Sequence, residues 1–278
     1  MWHGIKSFTK GLRNLTFRYP PKGVSIVQEN TRASLHPCVA HRGFSGIAPE
    51  NTIAAFQLAM DQPNVDWIEL DVHLSRDDVP VVIHDSSLER TTSGKGQVNK
   101  LTAKELGGLD AGSWFHSSFS SERVPTLDEV LVLTTGKCRL NVELKGEDSS
   151  PDDLARQAVE VIRSRQLEKE IVITSFRSEV LEAVRRYSTL VKTGLIIDDR
   201  PADLIKMITS IDASYLSIGF RHLNEQLMEQ AAEADIQVMA WTVNSVNDLR
   251  RLASRPEPFQ LCTNYPDRWL AAIKGANE

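Results

Sequence analysis

From Pro37 onward, short β-branched apolar runs alternate with longer amphipathic ones, and nothing else in the chain constrains its fold as tightly. The strand candidates are Cys38–Gly43, Trp67–Leu74, Val79–Asp85, Cys138–Lys145, Ile171–Phe176, Val191–Ile197, Tyr215–Phe220, Ile236–Asn244 and Phe259–Thr263. The helix candidates between them are Asn51–Gln62, Thr126–Thr134, Asp152–Arg165, Ser178–Arg186, Pro201–Thr209, Asn224–Ala234 and Ser245–Ala253. Ser178, followed by Glu179 and Glu182, and Asp152, ahead of an apolar period, carry helix-start chemistry. Strands separated by helix-length crossovers pair in parallel.

Trp67–Leu74 and Val79–Asp85 are too close for such a crossover, so this pair is an antiparallel hairpin. One limb of it is a hairpin excursion, and the eight parallel strands that remain, in a chain of 278 residues, predict an α/β fold, a (β/α)₈ TIM-type barrel. Active-site loops then lie at the C-terminal strand ends. A two-residue turn at Asp77-Asp78 would set Asp71 opposite His84. Residues Ser86–Val124, rich in Gly and turn formers, read as a small lobe inserted over the barrel mouth. The expected layout is a basic amphipathic extension at 1–36 and a barrel at 37–278, with the lobe at about 86–124.

A net charge of −5 and a pI near 5.9 argue against a nucleic-acid binder that works through bulk charge. Cys38, Cys138 and Cys262 have neither disulfide-framework nor zinc spacing and read as reduced core thiols. No apolar run approaches the roughly 20 residues of a membrane span, and the start lacks a secretory pattern, so a cytoplasmic protein is expected.

Four polar clusters fall at predicted C-terminal strand ends: His41-Arg42-Gly43, Glu69 with Asp71, His84-Asp85, and Asn141-Val142-Glu143-Leu144-Lys145. The period of two puts Glu69 and Asp71 on one face, and Asn141, Glu143 and Lys145 on one face. Unpaired charge inside a barrel costs several kcal/mol per group, so these side chains need a shared purpose. Glu69, Asp71 and Glu143 form an all-oxygen set that suits Mg²⁺ or Ca²⁺. Arg42 and Lys145 suit a phosphate, and His41 and His84 suit a general base and general acid on opposite sides of phosphorus. Together they read as phosphodiester cleavage.

Blander readings exist. Glu69 and Asp71 as mere salt-bridge partners of Arg42 and Lys145 would leave the two histidines unexplained. Asn51 is either a helix N-cap or a contact of Arg42 or of the metal shell, and Asp85 is read as capping a turn. Ser93–Gly96 lacks P-loop spacing and reads as lobe turn chemistry. Trp114 and Phe115 are expected to pack the lobe onto the barrel.

"HRG…PENT", "ELDVHLS…VPVVIHD", "L.RTTSGKG.V", "AGSWF", "NVELK", "WTVN" and "TNYPD", in this order from Cys38 to Asp267, resemble the glycerophosphodiester phosphodiesterase family. The resemblance implies a TIM-type barrel with a small inserted lobe, a divalent metal, and hydrolysis of glycerophosphodiesters to glycerol 3-phosphate and an alcohol. Carried over by position, His41 and His84 resemble the acid/base pair, Glu69, Asp71 and Glu143 the metal ligands, and Arg42 and Lys145 the phosphate grips. The counterpart of Trp241 lines the pocket on the glycerol or leaving-group side; core packing is the alternative. Such proteins often carry Asp-Gly at the hairpin turn, and Asp77-Asp78 here leaves a longer or bulged turn open. A lysophospholipase D-type lipid phosphodiesterase and a non-catalytic phosphodiester-binding protein are the competing readings. Residues 1–28 hold Lys6, Lys10, Arg13, Arg18 and Lys22 and a stripe of Ile5, Phe8, Leu12 and Leu15, which suits a membrane surface, the barrel's underside or a second subunit.

Overall fold

The computed structural model describes residues 35–63, 65–146 and 149–275; residues 1–28, read as a basic amphipathic stripe, lie outside them. The chain runs β1 (Cys38–His41), α1 (Ile53–Met60), β2 (Val65–Leu74), β3 (Pro80–Val82), α2 (Ala103–Leu106), α3 (Leu127–Thr134), β4 (Arg139–Leu144), α4 (Pro151–Ser164) and β5 (Ile171–Ser175). It continues with α5 (Ser178–Tyr187), β6 (Lys192–Ile197), α6 (Leu204–Ser210), β7 (Tyr215–Gly219), α7 (Glu225–Glu233), β8 (Gln237–Trp241), α8 (Val246–Ala253), β9 (Gln260–Thr263) and α9 (Pro266–Gly275). All strands except β3 pair in parallel, and β1 pairs with both β9 and β2, which closes a TIM-type barrel.

Strand alternation divides the core in two. Ala40, Ile68, Leu70, Val72, Val142 and Leu144 face outward into the layer between strands and helices. Val39, Trp67, Val172, Tyr215, Met239 and Cys262 form a separate interior cluster. Arg139 lies over the Trp67 ring and Lys192 over the Tyr215 ring, at 5.5 and 5.7 Å, which lets those cations cover apolar rings. The interior positions one step further along β1, β2 and β4 are His41, Glu69 and Asn141. The barrel is therefore apolar inside at its N-terminal end and polar at its C-terminal rim.

The hairpin register differs from the expected one. Val72 pairs with Val82 and His73 with Val81, and the Ile83 N–H donates to the Asp71 carbonyl at 3.0 Å. Asp71 thus stands opposite Ile83, not His84. The cause is the turn: Ser75 N–H donates to the Val79 carbonyl, and Asp78 takes a left-handed φ of 58°. Arg76, Asp77 and Asp78 form a three-residue loop, one longer than the two-residue turn, and slip the pairing by one. β3 ends at Val82, and the chain bends through His84 to Ser86, so His84 escapes the parity that its register would impose.

Two caps also differ. Ser150, not Asp152, caps α4 by accepting from Asp153 N–H, with Pro151 in the first turn. Ser178 lies inside α5, and its cap position, Arg177, makes no side-chain cap bond. Thr126 and Glu129 form a complete capping box at α3.

Between β3 and α3, residues Leu88, Val98, Leu106, Ala111 and Val124 form a small apolar cluster with Val81 and Ile83 of the hairpin. Trp114 and Phe115 lie outside it: they are 41% and 36% exposed and stack edge-to-face on each other, with Phe119 beyond. Their large apolar rings partner one another within the segment. Cys38, Cys138 and Cys262 are free. Among the described residues, no helix is long and apolar enough to cross a membrane.

Candidate active site

The register of three parallel strands builds the site. His41 pairs with Glu69 across β1 and β2, and Asp71 pairs with Glu143 across β2 and β4. Paired residues on adjacent strands are about 4.8 Å apart and share a face, so the acids converge without any loop rearrangement. Ligand atoms of Glu69, Asp71 and Glu143 lie within 4.8 Å of one another, and all three residues are buried. A cavity of about 140 Å³ is lined by His41, Arg42, Glu69, His84, Glu143, Lys145 and Trp241, together with Asn141, Thr174 and Ser217. Asp71, level with Glu143 in the strand register, is fully buried.

Two cations serve these acids. Arg42 sets Nε 3.1 Å from Asp71 Oδ2, and its backbone N–H donates to Glu69 Oε2 at 3.1 Å. Lys145 Nζ lies 2.8 Å from Asp71 Oδ1 and 2.6 Å from Glu143 Oε1. Burial raises the Asp71 pKa, but Lys145 and Arg42 more than offset it and hold this carboxyl well below the usual range. Glu143 is pushed up to about 7 by burial and by the Asp71 charge. Glu69 is pushed well above the carboxylate range by burial, with Asp71 and Glu143 adding to it. Two fixed positive charges thus leave the trio with surplus negative charge, which the protein alone relieves by taking up protons. A hard divalent cation would replace those protons with better-placed charge, so the oxygen-only donor set fits one.

Asn51 resolves in favour of the acids. Its Nδ2 donates to Asp71 Oδ2 at 2.7 Å, while Thr52, not Asn51, caps α1. The two histidines are held differently. His41 Nδ1 lies 2.6 Å from the Asn264 amide oxygen, and His41 is pushed down to about 4 by burial and then by Arg42. His84 Nδ1 lies 2.6 Å from Asp85 Oδ1, and burial lowers its pKa. Asp85, read earlier as a turn cap, is itself held at about 2, chiefly by Arg90. Trp241 meets the exposed Phe176 edge-on at 6.1 Å, and its buried indole N–H has no hydrogen-bond partner among the described residues.

Residues 41–267 match the model of the glycerophosphoryl diester phosphodiesterase family. The chain belongs to this family. It is accordingly a phosphoric diester hydrolase of the glycerophosphodiester phosphodiesterase class. A glycerophosphodiester phosphodiesterase of Caldanaerobacter subterraneus is 35% identical over 215 residues, spanning 77% of this chain and 88% of the relative. Among solved structures, an Oleispira antarctica phosphodiesterase in complex with the product sn-glycerol 3-phosphate is 30% identical, with a TM-score of 0.80 over 87% of this chain and 99% of that one. A glycerophosphodiester phosphodiesterase of Agrobacterium tumefaciens is 28% identical, with a TM-score of 0.75 over 85% and 99% of the two chains.

The site also contains family-motif residues that sequence reasoning left without a role. Glu50, inside "PENT", accepts from Arg42 Nη1 at 2.8 Å. Asn264, inside "TNYPD", directly follows β9, a strand-end position that itself points to function. Arg90, inside "L.RTT", reaches both Glu50 and Asp85, and no periodic signal marks it.

Proposed function

We propose that this chain hydrolyses glycerophosphodiesters to glycerol 3-phosphate and an alcohol, with the phosphodiester seated between His41 and His84. The observation that carries this reading is that one cavity is lined at once by both histidines, Arg42, Lys145, Glu69 and Glu143. Its volume, about 140 Å³, is well below the roughly 300 Å³ where drug-sized pockets begin, and it suits a small polar ester better than an acyl chain.

Glu69, Asp71 and Glu143 are the residues that would hold a divalent ion, Mg²⁺ or Ca²⁺. When bound, such an ion supplies Lewis-acid charge to the phosphoryl oxygens. Arg42 and Lys145, both lining the cavity, grip the phosphate through N–H donors. Trp241, which lines the cavity, offers its ring to the glycerol or the departing alcohol. Asn264 accepts from His41 Nδ1–H, which leaves Nε2 able to take the proton of the attacking oxygen. Asp85 orients His84 through Nδ1 and offsets part of the burial that lowers its pKa, and a protonated His84 can give a proton to the leaving alkoxide. The barrel at 37–278 with a lobe at about 86–124 is our reading of the domain layout.

The roles separate by leaving group. With choline as the leaving alcohol, His41→Ala and His84→Ala should each lose about 10²–10⁴ in kcat. With p-nitrophenolate, which departs without a proton, His84→Ala should regain most of its loss and His41→Ala should not. Near-normal turnover of His84→Ala on glycerophosphocholine would end the assignment.

A further inference from the structure

One side chain joins the partners of two proposed active-site groups. Arg90, from the segment after β3, sets Nε 2.6 Å from Asp85 Oδ2 and Nη2 3.0 Å from Asp85 Oδ1. The same guanidinium sets Nη1 2.9 Å from Glu50 Oε2 and Nη2 2.8 Å from Glu50 Oε1. Asp85 is the partner of His84 Nδ1, and Glu50 is the partner of Arg42 Nη1. We propose that Arg90 is a positioning residue: it locks the carboxylate that orients His84 to the carboxylate that holds Arg42, so that imidazole and phosphate-gripping guanidinium share one fixed frame. This rests on the reading of His84 and Arg42 given above.

Several features favour positioning over simple stabilisation. The Arg90 side chain is 43% exposed, and exposed ion pairs contribute little to folding. What the fork supplies is direction: two planar, bidentate contacts fix both carboxylates in orientation, which a lysine point charge cannot do. The flanking supports are unequal. His73 Nε2 lies 3.0 Å from the His84 carbonyl oxygen and anchors the backbone, but the ring itself depends on Asp85. Arg42 keeps a second contact, to Asp71 at 3.1 Å. Loss of Arg90 therefore frees the His84 ring more than it frees Arg42. The predicted signature is a fall in kcat with little change in KM.

The test is steady-state kinetics of the full chain on glycerophosphocholine with Arg90→Ala, Arg90→Lys and His84→Ala. Arg90→Ala should melt with the wild type and lose about tenfold or more in kcat, the scale of a lost supporting partner, with KM within about threefold. Arg90→Lys should recover only part of that loss, and free guanidinium ion should raise kcat of Arg90→Ala but not of His84→Ala. If Arg90→Ala does not fold, Arg90→Lys decides alone: a kcat loss at preserved KM supports the assignment and wild-type kinetics overturn it. Wild-type kcat in Arg90→Ala, or a loss that guanidinium leaves untouched, also overturns it. If His84→Ala is inactive while Arg90→Ala is normal, only the Arg90 assignment falls; if His84→Ala is normal, the underlying site reading falls with it.

Discussion

Asp71 stands directly opposite Glu143 in the register of β2 and β4, and Lys145 Nζ contacts both carboxylates, at 2.8 and 2.6 Å. The convergence of these acids is fixed by strand pairing, the stiffest part of the fold, and not by loops. Asp71→Asn and Glu143→Gln should each weaken divalent-ion binding to chelator-treated protein by at least the roughly 10- to 100-fold that loss of an outer-shell partner costs. Titration calorimetry measures this directly, and unchanged affinity in both variants would place the ion elsewhere.

Glu143 also gives the metal-free protein a characteristic pH dependence. Its pKa in the fold is raised to about 7 from an ordinary 4.5, by burial first and the Asp71 charge second. A raised folded-state pKa contributes stability that is fully present below about 4.5 and is lost as pH rises through about 7. In chelator, the stability of wild type relative to Glu143→Gln should therefore decline between about pH 5 and 8, as read from paired urea melts. A difference that stays flat, or grows with pH, would contradict the burial argument.

Asn264 holds His41 through Nδ1 at 2.6 Å, across 223 residues of sequence. Asn264→Ala should lower kcat by about tenfold, less than the roughly 10²–10⁴ of His41→Ala, because the imidazole remains but its orientation is released. Equal losses in the two variants would mean that Asn264 does more than orient.

Leu144 lies between Glu143 and Lys145 but points to the other side of β4, into the strand–helix layer, and is fully buried. Leu144→Ala should cost about 2–5 kcal/mol of stability by denaturant melt. Turnover per folded molecule should stay near wild type, since the vacated volume faces away from the cavity. A selective loss of kcat would mean that the two faces of β4 are coupled.

The barrel and the acid trio were legible because both follow from periods. Alternation exposed the strands, and the period of two put Glu69, Asp71 and Glu143 on interior faces at strand ends. What escaped has physical causes. The hairpin register turned on loop length: Asp77-Asp78 left a longer turn open, but the choice between turns is made by the Ser75–Val79 pairing and the positive φ of Asp78. Glu50 and Arg90 are 40 residues apart and meet only through side chains, so no local pattern predicts the pair. Helix α9 was missed although Pro266 opens it with the residue that favours a first turn.

The central claim is that Glu69, Asp71 and Glu143 hold a divalent ion on which the chain's hydrolysis of glycerophosphodiesters depends. The most direct measurement is release of glycerol 3-phosphate from glycerophosphocholine by the full chain after exhaustive chelation, and again after Mg²⁺, Ca²⁺ or Mn²⁺ is restored. The account predicts that chelation abolishes release, that at least one of these ions restores it, and that Asp71→Asn stays inactive with all of them. Full release in chelator, or full restoration of Asp71→Asn, would contradict it.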